Sequence, residues 1–185
     1  MRTLIVVAFG DPYRASEVLN ELQRRDWAWI DDLDQAVVVR WNEKDRLRVQ
    51  FSVDPATREG ADWAGLWGSF LSMALFIPTT DGIAKAAGTM TLASLGGDRL
   101  GRIGHSPIPF RWWRESLRIP EQFLRDVGAM VQPGDSALFM LLRDPKPEVV
   151  LRQLRDYGGS LLHTLLSWEQ EVQLEDALAL KSASY

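Results

Sequence analysis

Between Gly60 and Gly97 the chain reads GADWAGLWGSFLSMALFIPTTDGIAKAAGTMTLASLGG. Two apolar runs rich in small residues are separated by Pro78-Thr79-Thr80-Asp81-Gly82. The first run, Trp63 to Ile77, carries no charge, and the second, Ile83 to Leu95, carries only Lys85. An uncharged run of that length must hide from water in a core, in a partner or in a membrane. That choice constrains the fold more than any other feature of the chain.

The rest of the sequence is patterned like an ordinary folded domain. A chain of 185 residues with 46% hydrophobic and 25% charged residues can build one compact core, or a small domain plus an insertion. There is no cysteine, which excludes disulfides, thiolate metal sites and a cysteine nucleophile. His105 and His163 are the only imidazoles, too few for a His-rich metal site. The start, MRTLIVVAFGDP, is too short an apolar stretch for a secretory leader, so a cytoplasmic start at Met1 is expected. The net charge of −4 argues against general nucleic-acid binding. Arg99, Arg102, Arg111, Arg114 and Arg118 nevertheless cluster around one acid, Glu115.

Thr3 to Phe9 is a β-branched run of the kind found in a buried central strand. Asp11-Pro12 then precedes Ala15, Val18, Leu19 and Leu22 at helical spacing, with Asp11 as candidate cap. Gln35–Trp41 and Arg46–Val53 read as strands joined by a tight turn at Asn42–Asp45. After the interruption, Pro120–Val131 reads as a helix and Ser136–Leu142 as a buried strand. Pro147–Tyr157 reads as a helix closed by Gly158-Gly159, Ser160–Leu166 as a short strand, and Ser167 as the cap of a last helix to about Leu180. The order β-α-β-β-(insertion)-α-β, then α-β-α, predicts an α+β fold. It is a ferredoxin-like βαββαβ sandwich with a helical hairpin insertion and a C-terminal αβα extension, all in one domain spanning 1–185. The insertion is placed at 57–118 and comprises the apolar hairpin and the basic aromatic segment. The open face of the sheet needs a cover, and the insertion or another subunit is the natural one.

Five stretches carry a family resemblance. They are LIVVAFGDPYRASEVLNEL, DLDQAVVVRW, the Gly/Ala-rich hairpin, PGDSALFMLLRDPKPEVVL and YGGSLLHTLLSWEQEVQLEDAL. In this order they resemble the DUF1269 family of small bacterial and archaeal proteins described as predicted membrane proteins. The resemblance implies a two-layer α/β domain with a membrane hairpin of glycine-zipper type. It implies no established enzymatic activity, so no catalytic residue is carried over. The hairpin here is less glycine-rich than that pattern and holds Trp63, Trp67, Ser69, Ser72, Lys85, Thr89 and Thr91. The following RIGHSPIPFRWWRESLR is not explained by the resemblance.

Gly65, Gly68, Ser69 and Ser72 give the first run a small-residue face suited to close helix packing in lipid. Arg58 before the hairpin and Arg99 and Arg102 after it would place both ends, and both termini, in the cytoplasm at the inner membrane. Against a full span, about fifteen residues rise only about 22 Å as a helix, short of a hydrocarbon core of about 30 Å. The competing reading is a helical hairpin buried on the sheet or in a homo-oligomer.

Trp63, Trp67, Phe70, Leu71, Leu75 and Phe76 are the expected membrane or partner contacts. Arg111, Trp112, Trp113 and Arg114 are the expected anchor, with aromatic rings in a headgroup layer and arginines on phosphate. The same segment could instead be a structural connector; a nucleic-acid role has no accompanying motif. Asp26, Asp31, Asp32 and Asp34 do not fit a calcium loop and read as a solvated turn. No metal, cofactor or catalytic group is expected. The function that follows is a non-enzymatic platform, membrane-associated or self-associating, acting through the hairpin, with membrane lipid or a membrane protein as possible partner. The alternative is a soluble module that holds an apolar small molecule or a protein partner between sheet and hairpin, lined by Trp67, Phe70 and Trp112.

Overall fold

The computed structural model describes residues 2–25, 27–41, 47–51, 67, 70, 71, 74, 75, 117–143 and 147–182. Its elements are β1 (Arg2–Phe9), α1 (Arg14–Arg24), a 3-10 turn (Ile30–Asp32), β2 (Leu33–Trp41) and β3 (Leu47–Phe51). They continue as α2 (Glu121–Met130), β4 (Ser136–Arg143), α3 (Pro147–Arg155), β5 (Ser160–Leu165) and α4 (Trp168–Ser182). The architecture is mixed α/β, with one antiparallel sheet in the order β3-β2-β4-β1-β5.

Two of the three interior strands, β1 and the central β4, carry long unbroken buried runs. From Leu4 to Phe9 every β1 residue is buried, as is every β4 residue from Ser136 to Leu142. Val6 opposes Phe139 on one side and Leu162 of β5 on the other. Because side chains alternate across a strand, such runs must be covered on both faces.

One face is covered by α1 and α3. Ile5, Val7, Val38, Leu138 and Met140 meet Val18, Leu19 and Leu22 of α1 and Val150, Leu151 and Leu154 of α3 in one cluster. These helix positions recur every three or four residues, so each helix buries a single stripe. Trp29 adds a buried ring whose Nε1 donates to Gln153 Oε1 at 2.5 Å.

The sequence reading places Asp11 as the cap of α1. The helix begins at Arg14 instead, but Asp11 Oδ1 still accepts from the backbone N–H of Tyr13 (2.7 Å) and Arg14 (3.0 Å). Pro12 thus sits in a turn fastened by the aspartate rather than inside the helix. Ser136 ties this turn to β4: its buried hydroxyl accepts from Ala15 N at 3.0 Å and donates to Asp11 O at 2.5 Å.

The end of α3 is set by glycine. Gly158 and Gly159 have φ of +76° and +88°, and Gly158 N donates to Arg155 O at 3.0 Å. A Cβ on Gly159 would collide with the backbone of Ala8 and the ring of Phe9, so the turn also lets β5 start close against β1. At the start of α4, Ser167 and Gln170 form the reciprocal box expected of S-x-x-Q. Gln170 N donates to Ser167 Oγ at 3.3 Å, and Ser167 N donates to Gln170 Oε1 at 2.6 Å. The β2–β3 turn, expected at Asn42–Asp45, lies outside the described residues, although the two strands it joins pair in antiparallel register from Val37–Phe51 to Trp41–Leu47.

Candidate functional site

The second face of the sheet holds the region the sequence singles out. Trp67, Phe70, Leu71, Ala74 and Leu75 are helical, and all five are buried. Their spacing is that of one helical stripe. The stripe joins Leu4, Val6, Ala8, Val37, Val39, Ala137, Phe139 and Leu141 of the sheet and Phe123, Leu124 and Val127 of α2. Three rings form its centre. Trp67 and Phe70 lie 5.8 Å apart edge to face, and each makes a similar contact with Phe139 of β4, at 6.3 and 6.1 Å.

The approach of α2 to this stripe depends on one small residue. A Cβ on Gly128 would sit 2.5 Å from the carbonyl oxygen of Ala74. Glycine at 128 and alanine at 74 let two backbones touch where larger residues would hold them apart. Gly128 lies at the margin of the buried stripe of α2, beside Leu124, Val127 and Val131, and a glycine there has no apolar side chain for sequence periodicity to register.

Of the six expected contact residues, Trp67, Phe70, Leu71 and Leu75 are therefore brought together inside the chain, against the sheet. Trp63 and Phe76 lie outside the described residues. So do all four expected anchor residues, Arg111, Trp112, Trp113 and Arg114, and the turn and second run of the hairpin. Among the described residues no helix is long and apolar enough to cross a membrane.

The stripe is not purely apolar. Trp67 Nε1 is buried without a hydrogen-bond partner. A buried indole N–H left this way forfeits an interaction that almost all such groups make. It is the only polar atom the described part of the run turns into the core, and it can donate to an acceptor on a bound molecule.

A charged cluster closes one end of the sheet. Arg2 Nε meets Asp34 Oδ2 at 2.7 Å, Arg2 Nη1 meets Glu175 Oε1 at 3.0 Å, and Arg143 Nη2 meets Asp34 Oδ1 at 2.5 Å. Burial disfavours the charged form of Arg2, but the hydrogen bonds to Asp34 and Glu175 and their charges outweigh it, so its pKa is raised. The cluster binds β1, β2, β4 and α4 to one another. Asp34, grouped with the acidic turn in the sequence reading, is thereby an ion-pair partner. Among the described residues no group of three or more His, Cys, Asp or Glu could hold a metal ion.

Gln170 links α4 to the chain ahead of α2, donating through Nε2 to the carbonyl oxygen of Leu117. Leu117 and Ile119 are buried in the same cluster as the ring triad. The segment that follows the basic aromatic stretch is thus fastened to the covered face.

Neither a curated protein nor a solved structure matches the chain. The family described as "Protein of unknown function (DUF1269)" matches over residues 114–179, which runs from the last anchor arginine through α2, β4, α3 and β5 into α4. The N-terminal stretches and the hairpin that also carried the resemblance lie outside that match. Over residues 114–179, about a third of its length, the chain is similar to the DUF1269 family.

Proposed function

We propose that the protein is a non-enzymatic platform that acts by association, at the cytoplasmic face of a membrane or with copies of itself. The associating part is the apolar segment together with the Arg/Trp stretch. The observation that carries this reading is the rooting of the first apolar run. Trp67, Phe70, Leu71 and Leu75 fasten it to the sheet, so the run is held by a core and not by a linker. In this reading the buried stripe orients the segment. Contact with lipid or partner falls to Trp63 and Phe76 and to the anchor Arg111, Trp112, Trp113 and Arg114.

The finer fold assignment belongs to the same proposal. Leaving β3 aside, the order β2-β4-β1-β5 is that of a ferredoxin-like sandwich built from β1-α1-β2 and β4-α3-β5. This assignment brings α3 and β5 into the sandwich, where the sequence pattern had put them in an extension. It leaves β3 as an added edge and the apolar run with α2 as the cover.

Co-sedimentation with anionic vesicles tests the membrane form. The wild type pellets with lipid, and Arg111→Glu and Trp113→Ala pellet less. Normal pelleting of both variants would remove the anchor from the account.

A second reading rests on the orphaned Trp67 Nε1. The protein would be a binding module for an apolar molecule bearing one acceptor oxygen, held between the run and the sheet. Saturable quenching of tryptophan fluorescence by such a ligand, lost in Trp67→Phe, distinguishes it from the platform.

A further inference from the structure

The two edges of the sheet differ in chemistry. At one edge β3 exposes Arg48 and Gln50. At the other, β5 reads Ser160-Leu161-Leu162-His163-Thr164-Leu165, with no lysine, arginine, acid, proline or glycine. Folded proteins guard exposed edges with charges, prolines or bulges, because an unpaired edge is a template for another strand. β3 carries such a guard and β5 carries none. Ser160, His163 and Leu165 are exposed, Leu165 at 53%, and Trp168 just beyond it is 74% exposed.

The direction of the free amides follows from the register. Thr3 opposes Leu165, so Arg2 opposes Leu166, and Leu166 N donates to Arg2 O at 2.9 Å. Bonded and non-bonded pairs alternate along an antiparallel ladder. Thr164, Leu162 and Ser160 therefore bond β1, while Leu165, His163 and Leu161 turn their N–H and C=O groups outward. Those outward residues form a palindrome, Leu-His-Leu, centred on His163.

We propose that β5 pairs antiparallel with β5 of a second copy of this chain, about a two-fold axis at His163. Leu161 then opposes the partner's Leu165, and His163 opposes its own copy. Each outward donor meets an outward acceptor in matched phase, and apolar side chains meet at both ends of the contact. No lysine, arginine or acid lies in the strand, and the one group that opposes its own copy across the axis is the imidazole of His163. The two sheets become one, and because the contact is isologous it closes at a dimer. The inference goes beyond the proposed function. It uses a surface outside the apolar segment, so the two fail separately.

Light scattering after size exclusion of the full chain, across a concentration series, tests it. The wild type is expected at twice the chain mass of 20.9 kDa. His163→Pro removes an outward N–H that β1 does not use, a position where edge strands tolerate proline. Leu165→Lys places a guarding charge on the same edge. Both variants are expected at 20.9 kDa with an unchanged circular dichroism spectrum. A wild type at single-chain mass throughout, with or without a foreign chain bound, overturns the pairing. A doubled mass that survives Leu165→Lys also overturns it. If that mass then falls when Trp63 or Phe76 is changed, association through the apolar segment is upheld instead.

Discussion

The two faces of the sheet are closed in different ways. The face under α1 and α3 is covered by helices that connect neighbouring strands in the chain, each with one apolar stripe and a polar back. The opposite face is covered by α2, by Leu174 of α4, by Leu117 and Ile119, and by the stripe Trp67 to Leu75. These pieces come from distant parts of the sequence. The first face is built from local patterns, whereas the second exists only once long-range contacts form. An uncharged run that in isolation has the composition of a membrane segment can serve as the lid of a sheet, provided a glycine such as Gly128 lets its neighbour approach.

If the stripe is true core, truncating it should cost as much as truncating the conventional face. Phe70→Ala is expected to lose about 3–5 kcal/mol and Leu22→Ala about 2–5 kcal/mol, read from denaturant unfolding. A loss near zero at Phe70 would break the equivalence of the two faces. Asp34→Ala leaves Arg2 without its nearest partner and is expected to cost about 2 kcal/mol, less in the Arg2→Met background where no buried charge is stranded. Gly128→Val tests the close approach on the second face. Its side chain must displace the backbone at Ala74, for a loss of about 1–3 kcal/mol, whereas the same change in an open helix would cost little. The smallest effect is expected at Ser167→Ala, which removes half of a capping box and should lower stability by about 1 kcal/mol.

Much of the local structure is legible in the sequence for physical reasons. The β-branched run Thr3–Phe9 can only be a strand buried on both sides, and it lies between β4 and β5. Val18, Leu19 and Leu22 specify one helical stripe, and Gly158-Gly159 stops α3 because both adopt positive φ. What the sequence does not display is which strands become neighbours. β4 lies between β1 and β2 although it follows β3 by a long interval, and no local pattern encodes that. The same limit applies to the apolar run. Its spacing identifies a helical stripe at Trp67, Phe70, Leu71 and Leu75, but a stripe of this composition fits lipid, a partner or a sheet equally well. The choice is made by Phe139 and Gly128, far away in sequence. Arg2 and Glu175 are likewise remote until the fold joins them.

The ring contact between Phe70 and Phe139 is the most direct probe of that choice, because it joins the apolar run to the central strand of the sheet. Phe70→Leu, Phe139→Leu and the double variant form a cycle that removes the ring contact while keeping most of the volume. The account predicts a coupling of about 0.5–1.5 kcal/mol between the two positions. Strictly additive losses would mean that the run does not pack on the sheet, and the second face would need another cover.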